Sequence, residues 1–391
     1  MVYHTLALLL ASTLSVAFYL RLRIKRPIQH STISSIHSLL KPANAPLDSL
    51  LHTRARPNER LVRAFALTNT FVKDDVLSHS LFRNRAQCLL NKASDWHRFK
   101  RIADHAVLSS LPSTLVRVDT FVQAVSLRVI LIGLLGTEDA EDASFPPSSI
   151  ETVSALITKL WALSKHPEPI DPILLPLLNH HLRALVPDTD AYPNPLDFVI
   201  PAWETMWRVV ATTFAHVYKD DRFRRALEEL HANPSMTQFR LQDCDPSAES
   251  MIIEAMRLHP PSKHISRLSS RLPSFLPHWM SSRFFETLHV ADIWAVHYSS
   301  AIWGSSVETF DPSRHAVRTP EQEEGFLAFG YGRLQCVAKN WAPMAAAIIL
   351  SSILAGVDEN YRVEAGRGIG GRDGWEGWEI VALTTVPADA D

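Results

Sequence analysis

Glycine is scarce, 13 in 391 residues. That is too few for the many tight turns of a sandwich or barrel, while Leu and Ala are abundant, so a mainly α fold with small β-sheets is expected. Cysteine is scarcer still. Cys88, Cys244 and Cys336 are odd in number and far apart, with no CxxC pair and no histidines at zinc spacing. A disulfide framework and a structural zinc site are therefore excluded, and a reducing compartment is indicated. Charge of one sign is lacking too: the formal net charge is −2 and no Lys/Arg tract is dense enough to serve a polyanion, so nucleic-acid binding has no electrostatic basis.

Charge-free apolar runs are rare, and one stands at the start. Thr5–Leu20 carries no charge and is followed by Arg21, Arg23, Lys25 and Arg26. With Val2, Tyr3 and a snorkelling Arg21 it reaches the length of a membrane-spanning helix. A cleaved signal peptide is the rival reading, and would carry its positive charge ahead of the apolar run. The basic flank places the remainder of the chain in the cytosol. Residues 1–26 are thus expected to be an anchor with its basic flank, 27–60 a Pro-containing linker packed on the body, and 61–391 one globular domain whose apolar content (46% over the chain) is ample for a core.

Within that domain, apolar periodicity predicts helices around residues 108–135, 150–163, 174–185 and 248–258, the last ended by "HPP". Gly366, Gly368 and Gly371 have GxGxxG spacing, but no helix-forming run follows them. A hairpin turn between two short strands is expected there rather than a dinucleotide site. Neighbouring histidines such as His180 and His181 point about 100° apart on a helix, so they make a poor metal pair.

The stretch "GFLAFGYGRLQCVAKNWAPM" places Phe329, Gly332, Cys336 and Ala338 in order just before a helix-forming run. Glycine turns let backbone approach a flat group, and free amides at a helix start stabilise a thiolate, which is a good metal ligand. Taken alone, Cys336 is as readily a small core residue. Glu254 and Arg257 stand at i, i+3, and Arg314 precedes the cysteine stretch; in isolation such a pair is an ordinary surface ion pair.

In this order and spacing the motifs resemble the cytochrome P450 family of haem-thiolate monooxygenases, most of all its membrane-anchored fungal members of secondary metabolism. The resemblance implies a P450-like fold with one N-terminal transmembrane helix, haem b as cofactor, and Cys336 as the axial iron ligand. It implies that Phe329 and Gly332 shape the loop beneath the haem, that Arg333, one step before the usual basic position, is a further cofactor-binding residue, and that Glu254, Arg257 and Arg314 form a buried network bracing that loop. Trp96 and Lys100 in "DWHRFK" correspond to the family's WxxxR helix, and Arg267 to a further propionate partner; a core aromatic is the plainer reading of Trp96. Glu204 and Thr205 correspond to the acid and alcohol that relay protons during oxygen activation, where unaided chemistry would call them polar filler.

Several positions depart from the family pattern: Lys100 stands for Arg, Leu334 for the basic residue two before the cysteine, Met206 for a second alcohol, and Pro201 lies inside the expected central helix. The chain is also short between about residues 110 and 195, where the family roofs its substrate pocket. The implied activity is insertion of one oxygen atom from O2 into a lipophilic molecule such as a terpenoid, polyketide or indole product. NADPH-cytochrome P450 reductase would be the partner, and the endoplasmic reticulum membrane the location, with a cytosolic catalytic domain. The alternatives are a haem-dependent isomerase or dehydratase on the same fold, and a non-catalytic membrane-anchored interaction protein.

Overall fold

The computed structural model describes residues 12, 27–137, 145–242, 246–270 and 286–383. The expected anchor, apart from Ser12, lies outside them; among the described residues no helix is long and apolar enough to cross a membrane. The chain opens with strand β1 (Ile28–His30), then helices α1 (Ile33–Leu40), α2 (Leu47–Ala55), α3 (Glu59–Phe65), α4 (Val76–Lys92) and α5 (Trp96–Leu108). Strand β2 (Leu115–Arg117) leads into α6 (Val118–Val129), which continues through a π turn to Leu134. Then follow α7 (Pro147–Ser164), α8 (Leu174–Leu185), α9 (Leu196–Val217), α10 (Asp221–Ala232) and α11 (Ala248–Leu258). Strands β3 (His264–Ser270) and β4 (Glu286–Asp292) precede several short helical turns, and α12 (Ala342–Gly356), β5 (Tyr361–Glu364) and β6 (Glu379–Ala382) close the described chain.

Four helices form the centre: α5 packs on α6 and α12, and α9 packs on α6 and α12. The sequence of α12, "APMAAAIILSSILAG", explains its place. Pro343 starts it where no intrahelical donor is lost, and the run from Pro343 to Leu354 is buried on every face, as a helix without a polar stripe must be. In α9, Trp203 and Trp207 stand one turn apart and are wholly buried. The Trp203 indole donates to the Gln123 carbonyl at 3.0 Å, tying α9 to α6. Pro201 lies inside α9 and removes one backbone donor from its first turns.

Two small sheets flank the helices. In one, β4 is central, parallel to β1 and antiparallel to β3, with Arg267 opposite His289. In the other, β6 is central and pairs antiparallel with β2 and β5. The glycine-rich stretch forms the turn between β5 and β6, in agreement with its spacing. Trp378 donates to the Gly368 carbonyl (2.7 Å) and Trp375 to that of Gly371 (3.0 Å), so two buried indoles hold the turn closed. Gly370 has no room for a side chain, because a Cβ would lie 2.6 Å from the Trp375 ring.

Candidate active site

The cysteine loop is built on two left-handed glycines, Gly330 (φ +70°) and Gly332 (φ +76°). A Cβ on Gly332 would also meet Lys41 Cβ at 2.8 Å, so both conformation and space demand glycine there. The loop turns back on itself through the Cys336 amide, which donates to the Phe329 carbonyl at 3.0 Å. Burial pushes the Cys336 thiol pKa up, opposed by a hydrogen bond from the Ala338 amide. Yet Cys336 is also exposed.

Glu254 on α11 holds the loop's support together. Its carboxylate takes two 2.8 Å bonds from the Arg257 guanidinium, one from Arg314 Nε (2.9 Å), one from the Asp311 amide (3.1 Å), and faces His315 Nε2 at 2.7 Å. Burial would raise the carboxyl, but the hydrogen bonds and charges of Arg257 and His315 outweigh it and hold the pKa lowered to about 2. Arg257, wholly buried, also donates to the carbonyls of His297 and Val307, both at 2.7 Å. His297 carries the connection onward. Burial lowers its pKa to about 3, so it is neutral, and its Nε2 accepts from the Leu327 amide at 3.0 Å. The proton then sits on Nδ1, which faces the Arg257 carbonyl at 3.1 Å. Glu254, Arg257 and Arg314 are therefore brought together, and His297 and His315 complete the network. Neither histidine stands out in the sequence; only the adjacency of His315 to Arg314 points to it.

A cationic cluster gathers on another side of the loop. Burial, and then the charge of Arg267, lower the Arg54 pKa to about 10; burial does the same to Arg267. His79 is lowered by burial and then by Arg54, Arg83 and Arg333. Arg54 donates to Thr70, whose hydroxyl lies 2.9 Å from His79 Nδ1. The Nε atoms of Arg54 and Arg267 are both buried without a hydrogen-bond partner. Buried guanidiniums that repel one another and keep idle donors form a receptor for a group with more than one negative charge. Arg267 and Arg333 were expected here. Arg54, His79 and Arg83 were not, although His79 and Arg83 stand at i, i+4 on α4 and so share a face.

Trp96 and Lys100 stand together on α5. On α5, Trp96 packs with Phe99 (ring centroids 5.9 Å apart) and Trp341 (6.1 Å). Lys100 pairs with Asp104 at 2.9 Å, and Asp104 in turn bonds His231 on α10 at 2.8 Å. Through Asp104, Lys100 is linked to α10.

On α9, Glu204 is buried and Thr205 beside it half-buried. Glu204 Oε1 accepts two bonds from Arg372 of the β5–β6 turn, one at 2.7 Å from Nε and a shorter one from Nη2. Arg208 lies 3.7 Å from Oε2, which has no hydrogen-bond partner. A separate cavity of about 530 Å³, lined by residues such as Cys88, Arg98 and Tyr192, includes none of these groups.

Residues 182–374, which hold both the Glu204 helix and the Cys336 loop, match the family profile described as Cytochrome P450. Over these residues, just under half of its length, the chain is similar to the cytochrome P450 family. The fold extends further: the crystal structure of a cytochrome P450DA mutant haem domain superposes with a TM-score of 0.57, at 14% identity, over 90% of both chains. Among curated relatives, a cytokinin hydroxylase of Arabidopsis thaliana is 27% identical over 128 residues, 30% of this chain and 23% of that protein. Cytochrome P450 4A24 of Sus scrofa is 29% identical over 139 residues, 35% of this chain and 27% of that protein. A longer match is to the cytochrome P450 monooxygenase cfoH of Aspergillus candidus, 23% identical over 291 residues, 67% of this chain and 53% of that protein. The chain thus matches roughly a quarter of the first of these relatives and about half of the last.

Cytochromes P450 are haem-thiolate proteins with haem b. The residues present fit that group: a cysteine on a glycine turn could supply the thiolate, and the Arg54–Arg267 pair, which has no acidic partner among the described residues, suits its two propionates. The raised thiol pKa is no obstacle, because a bound cation deprotonates a coordinating thiol outright.

Proposed function

We propose that this chain is a haem-thiolate monooxygenase acting on a lipophilic small molecule. The observation that carries the reading is the buried, anion-seeking cluster of Arg54, His79 and Arg267 at the same loop that presents Cys336. Haem held there supplies oxygen activation. Cys336 would be the axial ligand, with Phe329, Gly332 and Arg333 shaping the loop and the Glu254–Arg257–Arg314–His315 network preventing it from shifting. Arg54, His79, Arg83, Arg267 and Arg333 would balance the propionates. Glu204 and Thr205 would hold and pass protons, with Arg372 and Arg208 orienting the carboxylate.

A role in fungal secondary metabolism is supported by the motif resemblance and by the match to the Aspergillus candidus monooxygenase. The reading also includes residues 1–26 as a single-pass anchor in the endoplasmic reticulum, 27–60 as linker and 61–391 as the catalytic domain. NADPH-cytochrome P450 reductase would be the electron donor, and the segment shortened between about 110 and 195 would leave a reduced roof over the substrate. The test is a reduced, carbon-monoxide difference spectrum. Thiolate-ligated haem gives its far-red-shifted Soret band, and Cys336→Ser should abolish that band; well-folded protein without haem would overturn the reading.

A second reading draws on the Glu204–Arg372 pair, which occupies the acid that oxygen activation would use. It is a haem-dependent isomerase or dehydratase, and turnover without NADPH would favour it.

A further inference from the structure

We propose that a basic cleft where α3, the end of α7, the middle of α9 and the β5–β6 turn converge binds the carboxylate of a lipophilic ligand, taken as the substrate on the strength of the monooxygenase reading. Arg60 comes from α3, Lys165 from just beyond α7, Arg208 from α9 and Arg372 from the turn. The acids among them are Glu204, paired with Arg372 and near Arg208, and Asp373, whose charge acts on Lys165. Four cations therefore face two carboxylates.

The geometry shows where the surplus lies. The guanidiniums of Arg60 and Arg372 both lie over the Trp161 ring, 5.0 Å and 4.9 Å from its centroid. Arg372 spends its donors on Glu204, and Arg208 donates to the carbonyls of Glu204 (3.0 Å) and Pro261 (2.9 Å). Among the described residues Arg60 donates only to the Ser164 hydroxyl. Capping of α7 does not account for Arg60, because Arg63 already donates to the carbonyls of Ser164, His166 and Pro167 at that helix end. Lys165 is exposed at the mouth of the cleft.

The electrostatics agree. Burial and then the charge of Arg372 lower the Arg60 pKa, and burial followed by Arg372 and Arg60 lowers that of Lys165. Like charges held this close favour an anion between them. A carboxylate matches the planar fork of Arg60, which a compact ammonium would bind without directional preference. Glu204, which Arg372 bonds, is adjacent to Thr205, so a ligand anchored here would lie beside the acid and alcohol assigned to proton transfer.

Calorimetric titration of the detergent-solubilised full chain with octanoate and with 1-octanol tests the site. Octanoate should bind at least tenfold more tightly. Lys165→Glu, a change at an exposed position that should leave the melting temperature intact, should remove that preference, and Arg60→Gln should weaken it. Equal affinities, undetectable octanoate binding, or a preference that survives Lys165→Glu would overturn the proposal. The carbon-monoxide spectrum of the same sample keeps the two readings apart. A preference without the thiolate band leaves this site standing and removes the oxygenase reading; the band without a preference does the reverse.

Discussion

At the scale of single residues, the balance between desolvation and pairing decides what each buried charge can do. Glu254 is buried and ionised because every lone pair of its carboxylate finds a donor. Glu254→Gln leaves Arg257 and Arg314 without their counter-ion and is expected to destabilise the fold by about 3–5 kcal/mol, measurable by urea unfolding. Arg267 is the opposite case. Its Nε is idle, and its one direct bond is to the Ser266 carbonyl at 2.9 Å. Arg267→Met should therefore leave the haem-free melting temperature unchanged or higher while weakening haem retention roughly tenfold, the loss of one charge-assisted hydrogen bond. A loss of stability in the haem-free protein equal to that in the loaded protein would contradict the assignment.

At the scale of elements, the cysteine loop depends on conformations that side chains resist. Gly332→Ala combines a φ of +76° with a Cβ 2.8 Å from Lys41. A cost of about 1–3 kcal/mol is expected, appearing as reduced haem content at equal expression, since the strain falls on the loop rather than on the helical core. The four central helices are positioned by different means. The indole of Trp203 reaches α6, and the Lys100–Asp104–His231 chain links α5 to α10. On α5, Lys100 has a carboxylate one turn away and Trp96 has a second tryptophan to pack against.

At the scale of the whole molecule, pH should act through buried groups that cannot accept or keep their charge. Burial first, and in lesser part neighbouring charge, lowers His216 to about 3, His259 to about 4 and His297 to about 3, each from 6.5. The unfolded chain binds these protons more readily, so the stability they permit is complete above pH 6.5 and declines as pH falls toward 4 and 3. Glu254, depressed from 4.5 to about 2, adds a second decline below pH 4.5. Melting temperature should therefore fall continuously from pH 7 downward, and Glu254→Gln should flatten only the part below 4.5. A flat profile between pH 7 and 4.5 would refute the histidine contribution.

Much of this was legible along the chain because it depends on local chemistry. Glycine turns around Cys336, the i, i+3 pair of Glu254 and Arg257, the hairpin glycines and the helix-forming run after the loop are all short-range patterns. The link between Glu254 and Arg314, sixty positions apart, was implied only by the family resemblance. What the sequence could not show is which cations lack a partner. Lys100 and Arg54 are both basic residues on helices, yet one has Asp104 within 2.9 Å and the other is buried against Arg267. Arg372 sits in a glycine-rich turn that reads as solvent-facing, and only the pairing of β6 with β2 and β5 carries that turn back to Glu204, 168 positions away. The sequence by itself determined the turns of the cysteine loop, because backbone conformation at Gly330 and Gly332 is decided by residue type locally. The tertiary structure decided where charge is left unbalanced, because burial and counter-ions are properties of elements brought together from distant parts of the chain.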